Sequence, residues 1–168
     1  MKYSYLKILF VTAFILKGLT TAQAAPVEAL ATIDITEAPV ISHELQTTPI
    51  SAGSYDTGTA LALGIINSNT GFSSVRLKWD RAVNPAVSGA AREAYVVDTT
   101  GEKEKKIQVS FEVQHGDQMT DGGDDAVNVT WTGGQKLTDY GYSVILTRPE
   151  TLAAGHYKVA VLADVTII

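Results

Sequence analysis

Three histidines and a cluster of four aspartates are the residues in this chain whose types invite chemistry. His43, His115 and His156 stand far apart in the sequence, at expected strand ends or loops. There an imidazole is by default a solvated surface group. His43-Glu44 begins like a helical zinc motif but lacks the second histidine that completes one. Asp117, Asp121, Asp124 and Asp125 crowd a glycine-containing stretch, an arrangement able to gather oxygen ligands around Ca²⁺. Their spacing fits no EF-hand loop, and a solvated acidic loop whose glycines serve turns accounts for it more simply. Asp124 and Asp125 are adjacent, so in a strand they face opposite ways and form no carboxylate pair for glycosidase chemistry. No Gly-x-Ser-x-Gly elbow, phosphate-cradling loop or dinucleotide fingerprint occurs. The absence of cysteine excludes thiol catalysis and zinc-thiolate sites. These residues describe a protein that is not an enzyme and takes no cofactor.

The aromatic residues divide between core and surface. Trp79 and Trp131 sit on the apolar sides of their strands, which points to core packing before a carbohydrate-stacking platform. Tyr140 and Tyr142 share one side of a strand and are either a recognition surface or a packed strand margin. Lys103–Lys106, a mixed-charge run after Gly101, reads as a solvated hairpin tip.

The elements that must carry these residues are strands. Lys2 and Lys7 precede an apolar run from Ile8 to Leu16, and Ala22-Gln23-Ala24 offers a small-residue cleavage site, so residues 1–24 are expected to be a signal peptide. The run is too short to span a bilayer. The remaining 144 residues suit one domain with a short extension. Without the three signal lysines, ten basic residues face eighteen acidic ones, and a net charge of −8 argues against nucleic acid or anionic lipid as a partner. With no disulfide available, the fold rests on packing or on a partner strand.

Period-2 alternation dominates. Val75, Leu77 and Trp79 alternate with Arg76, Lys78 and Asp80; Ile107, Val109, Phe111 and Val113 alternate with polar residues; Val127, Val129 and Trp131 alternate with Asn128 and Thr130. Thr57–Asn67, Ala94–Asp98, Tyr140–Thr147 and Tyr157–Ile168 are further strand candidates. Turns are expected at Asn69-Thr70-Gly71, Thr100-Gly101, Asp121-Gly122-Gly123, Gly133-Gly134 and Ala154-Gly155. A hairpin is expected between Tyr95–Asp98 and the strand around Ile107. The fold class is all-β, an immunoglobulin-like sandwich.

The two ends carry the functional argument. Val27, Ala29, Ala31, Ile33 and Ile35 occupy every second position of an extended stretch that Pro39 terminates, ahead of the domain's first strand near His43–Ile50. At the other end, Tyr157–Ile168 is strongly β-forming and nearly all apolar on both faces. A sandwich ending on such a strand exposes an edge that another strand must cover. Donor-strand complementation supplies one from outside, its alternate side chains filling pockets in the acceptor groove. Residues 27–35 have the length and pattern of the donor. Tyr157, Val159, Val161, Ala163, Val165 and Ile167 are expected to border the groove. Folding back of residues 27–35 onto their own domain satisfies the same pattern.

From His43 onward the chain resembles the subunits of Afa/Dra and Saf type fimbriae, in particular the Afa-type invasin. The residues that carry this are Asn69-Thr70-Gly71-Phe72 leading into Val75–Trp79, then Arg92 to Asp98 with Gly101 after it, and Leu152-Ala153-Ala154-Gly155-His156-Tyr157-Lys158-Val159. The resemblance implies an immunoglobulin-like sandwich lacking its last strand. It also implies a periplasmic fimbrial chaperone, an outer-membrane usher, neighbouring pilin subunits, display as a fimbrium at the cell surface and a host-cell receptor. Its division is 1–24 signal peptide, 25–42 donor-strand extension and 43–168 pilin domain. Two departures matter. The Afa-type subunits hold a disulfide where this chain has Ile66-Asn67 and Asp164–Thr166 without cysteine, and a fibre-tip subunit needs no donor strand, yet residues 27–35 read as one. The expected function is therefore a structural and adhesive subunit assembled by donor-strand exchange. A fibre-tip invasin and a self-complete periplasmic ligand-binding sandwich are its rivals.

Overall fold

The computed structural model describes residues 38–100 and 105–167; the expected signal peptide and Val27–Ile35 lie outside the described residues. Ten strands follow one another: β1 Ile41–Thr47, β2 Gly53–Tyr55, β3 Ala60–Trp79, β4 Glu93–Val97, β5 Lys106–Glu112, β6 Gln118–Gly123, β7 Ala126–Thr130, β8 Leu137–Leu146, β9 Glu150–Leu152 and β10 Val161–Ile167. β1 begins two residues inside the stretch assigned to the extension. The hairpin expected around Thr99 and Thr100 is present as the β4–β5 pair, with Tyr95 opposite Gln108.

The spine of the fold is β3, twenty residues long. The sequence expects two strands here, divided by a turn at Asn69-Thr70-Gly71; instead one strand runs through and bends. Gly71 takes a φ of 78°, which lets the strand kink where a residue with a Cβ is strained. The Ser68 hydroxyl accepts from the backbone N–H of Thr70 at 3.3 Å and of Gly71 at 3.2 Å. These groups absorb the local change of direction without reversing the chain, and the register with β8 slips between Asn67 and Phe72.

The bend folds the sheet onto itself. Before it, β3 is flanked by β1 and β8, with β5 and β4 beyond β8; after it, by β10 and β7, with β6 beyond β7. The inner faces meet in one core, where Trp79 from the second half stacks on Phe111 from β5 with ring centroids 4.1 Å apart. Trp131 stacks on Tyr140 at 5.5 Å. Both tryptophans are core residues, as their side of the alternation implies. β2 and β9 form a separate two-stranded sheet.

Several expectations give way here. Tyr140 and Tyr142 are no recognition surface: they lie on a central strand between β3 and β5 and are buried. His43 is no solvated loop residue but faces inward from β1, half-buried. Asp121 belongs to β6 rather than to a loop, and Asp124 and Asp125 form the two-residue turn into β7 with φ of 52° and 58°. The last strand begins at Val161, not Tyr157, and packs inward by one face, since Leu162, Asp164 and Thr166 point to solvent.

An open strand edge as the candidate functional site

The two flanks of β3 are occupied unequally. Phe72 has Leu137 of β8 across one edge and Ile167 of β10 across the other. β8 is likewise opposite β1 across Asn67, Ile66 and Ile65. β10 and β1 therefore lie in succession along the same edge of β3, both antiparallel to it. β10 runs from Val161 opposite Trp79 to Ile167 opposite Phe72, and β1 takes over from Ile41 opposite Ser68 to Thr47 opposite Ala62. Among the described residues neither strand pairs with anything on its far side.

The side chains on this rim show what that means. Tyr157, Val159, Val161, Ala163, Val165 and Ile167 all face the core, pack against it and remain half-buried. Leu45 of β1 does the same. A cleft of about 460 Å³ opens at the Tyr157 end, between Thr47–Ala52 and Ala153–Val159, with Leu61, Val96, Ile107 and Leu152 lining it. Of the six residues expected to border a groove, Val161, Ala163, Val165 and Ile167 lie on β10, Val159 leads into it, and Tyr157 bridges Asp98 at the end of β4. The five residues expected to fill a groove, Val27, Ala29, Ala31, Ile33 and Ile35, lie outside the described residues.

Polar side chains fix this rim in place. Asn84, fully buried, donates from Nδ2 to the Lys158 carbonyl at 2.9 Å and accepts the Ala160 N–H on Oδ1 at 2.8 Å. Asp98 Oδ1 accepts from the Thr100 N–H at 3.0 Å, the Thr100 hydroxyl at 2.9 Å and the His156 N–H at 3.2 Å. The Thr100 bonds, foremost its backbone N–H, hold the Asp98 carboxyl below the usual carboxylate range. Gly155 has no room for a side chain, because a Cβ there falls 2.7 Å from Asp98 Oδ2. On β1, His43 Nε2 and the Tyr142 hydroxyl share a hydrogen bond of 2.8 Å, and burial lowers the His43 pKa from its ordinary 6.5.

Sequence reasoning missed Asn84 and Asp98. An Asx-type signal was present in Asp98-Thr99-Thr100, where a carboxylate reaches the N–H two residues on, but it was absorbed into the turn at Gly101. Nothing local marks Asn84, whose partners on the rim are more than seventy residues away. The four aspartates scatter into separate tasks. Asp117 accepts from the Tyr140 hydroxyl at 2.6 Å, and Asp121 from the Gly123 N–H at 2.9 Å. Asp124 faces Arg76 at 3.6 Å and Asp125 faces Arg81 at 3.5 Å.

No family model matches the sequence, and no curated protein matches it. Solved structures do match. The minor tip subunit HdaB of the Escherichia coli Hda pilus superposes with a TM-score of 0.62 at 17% identity, covering 76% of this chain and 84% of that one. The Salmonella SafD adhesin gives 0.62 at 19% identity over 76% and 88%. Self-complemented MyfA, the major subunit of Yersinia enterocolitica Myf fimbriae, gives 0.51 at 12% identity over 75% and 85%. The described chain has the immunoglobulin-like fold of these pilus and fimbrial subunits.

Proposed function

We propose that the protein is a structural and adhesive subunit of a bacterial surface fimbria, built by inserting a strand of one subunit into the open edge of the next. The observation that carries this reading is the unpaired β10–β1 rim with its row of half-buried side chains, which an added strand pairs with and covers. The donor is the stretch holding Val27, Ala29, Ala31, Ile33 and Ile35, whose alternate apolar positions match the rim's period. Its partners are neighbouring subunits, a periplasmic chaperone that caps the rim before assembly, an outer-membrane usher, and a receptor on the host cell.

The test is to express residues 25–168 in the periplasm with and without a fimbrial chaperone and to size the product. Ladders of oligomers, or a stable chaperone pair, are expected. Changing Ala29 and Ala31 to aspartate should abolish the ladder while leaving the chaperone pair intact. A well-folded lone monomer that never associates overturns the reading and favours residues 27–35 completing their own domain.

A further inference from the structure

We propose that His43 is a proton-operated latch, which holds β1 on the rim of the open edge while neutral and releases it when protonated. Its consequence for a fibre rests on the strand-donation function above; the latch itself rests on geometry within the chain. Among the described residues β1 is paired along one edge, so it can lift without breaking a second ladder. Tyr142 reaches it from β8, two strands away. Tyr142 stands in the row of Gly64 and Leu45, and it reaches diagonally to His43, which stands one row along, opposite Ile66. Gly64 leaves the space for this: a Cβ there falls directly on the Tyr142 ring. The tyrosine therefore crosses the backbone of β3, and its hydroxyl meets the imidazole 2.8 Å away, with ring centroids 5.9 Å apart.

Among the described residues no carboxylate bears on an imidazolium here, whose close acceptor is the neutral Tyr142 hydroxyl. From β8 the facing titratable groups are Tyr142 and Tyr140, the latter in His43's own row across Ile66 with its hydroxyl donated to Asp117, and burial keeps both protonated and uncharged. From β3 come Gly64 and Ile66, without charge. Glu44, the next residue on β1, alternates to the exposed face. Burial alone shifts His43, with no carboxylate opposing it. Charging the ring therefore favours conformations in which it reaches water, and for a strand held on one side those are conformations in which β1 has lifted. The sign follows: a histidine whose folded pKa lies below its unfolded value contributes stability that is complete above pH 6.5 and is lost as pH falls from there to the folded pKa. A strand added along the free edge of β1 buries His43 further, so acid weakens the joint between subunits more than the subunit.

Hydrogen exchange on residues 25–168 tests this at about pH 7.5 and about pH 5, the span over which histidine changes charge. After correction for intrinsic rates, β1 amides are expected to lose protection at the lower pH by up to about tenfold for each unit of His43 shift, while β8 keeps its protection. His43→Gln, which retains a hydrogen-bonding group toward Tyr142, should remove the difference. Equal acid sensitivity of β1 in His43→Gln and the parent chain overturns the latch. Should that variant fail to fold, NMR titration of the parent decides: a His43 midpoint below that of exposed His115 supports the latch, and coincident midpoints overturn it. Sizing oligomers at the two pH values is a separate arm. Failure to form oligomers at either pH counts against strand donation, whereas exchange at β1 still decides the latch.

Discussion

The two edges of β3 are held by different kinds of force. Along one edge lies β8, whose Val144 and Leu146 are buried where β5 continues the sheet and whose Tyr140 and Tyr142 are buried against Trp131 and Phe111. Along the other lie β10 and β1, whose inward residues have the same apolar character and alternate positions yet stay half-buried, because no described strand continues the sheet. Apolar packing secures the covered edge. At the open edge polar clamps join a partial apolar packing, with Asn84 and Asp98 gripping residues 156–160 ahead of β10 and Tyr142 gripping His43. A rim held this way keeps its shape before its hydrophobic partner arrives, and leaves that partner apolar surface to bury.

The largest effect that sharpens this contrast lies behind the covered edge. Phe111→Ala removes the ring that stacks on Trp79 and meets Tyr142 edge-on at 5.7 Å, so it opens a cavity where both halves of the sheet meet. The expected cost is about 3–5 kcal/mol, read as a fall in urea midpoint with little change in slope. A cost below about 1 kcal/mol breaks the comparison, since the covered side would then not be the packed core.

A smaller, paired measurement compares the edges directly. Val144→Ala on β8 and Val165→Ala on β10 delete the same two methyl groups. The first is fully buried and the second half-buried. At about 0.8 kcal/mol per buried carbon, Val144→Ala should cost about 1.5 kcal/mol or slightly more, and Val165→Ala about half as much in the isolated chain. Chemical denaturation of both variants checks the ratio. In an assembled oligomer the Val165 cost should rise toward the Val144 value, because an added strand covers it. An unchanged cost on assembly means the added strand lies elsewhere.

Much of this was legible in the sequence where each residue's environment is set by its own strand. The alternation of Val75, Leu77 and Trp79, and of Ile107, Val109 and Phe111, marks their inward faces without reference to partners. The same period marks Val161, Ala163, Val165 and Ile167 as the inward row of the rim. What was hidden depends on which strands become neighbours. Asn69-Thr70-Gly71 has the composition of a reversal, yet serves as a bend because both halves of β3 find partners on each flank. Tyr142 is core because it lies over Gly64 of β3 and meets the Phe111 ring of β5. Asn84 and His43 act on the rim through residues distant in the chain. Turn chemistry reports what a backbone can do locally, and pairing decides which option is used.

The smallest expected effect separates the two edges by pH. Asp98 grips the His156 N–H at the cleft mouth, and its hydrogen bonds favour the carboxylate and hold its pKa below the ordinary 3.8. A carboxyl whose folded pKa lies below its unfolded one binds fewer protons in the native state, so its contribution is complete above the unfolded value and is lost as pH falls through it toward the folded pKa. Acid below about pH 4 should therefore loosen residues 156–160 while the apolar packing around Val144 and Leu146 on β8 holds. Asp98→Asn, which keeps the shape but not the charge, should flatten the dependence of thermal midpoint on pH in this window and lower the midpoint at neutrality. Hydrogen exchange at His156 should report the change locally, with Val144 as the reference amide. Equal acid sensitivity at the two amides would mean that the carboxylate does not set the stability of the rim, leaving Asn84 as the clamp on its upstream segment.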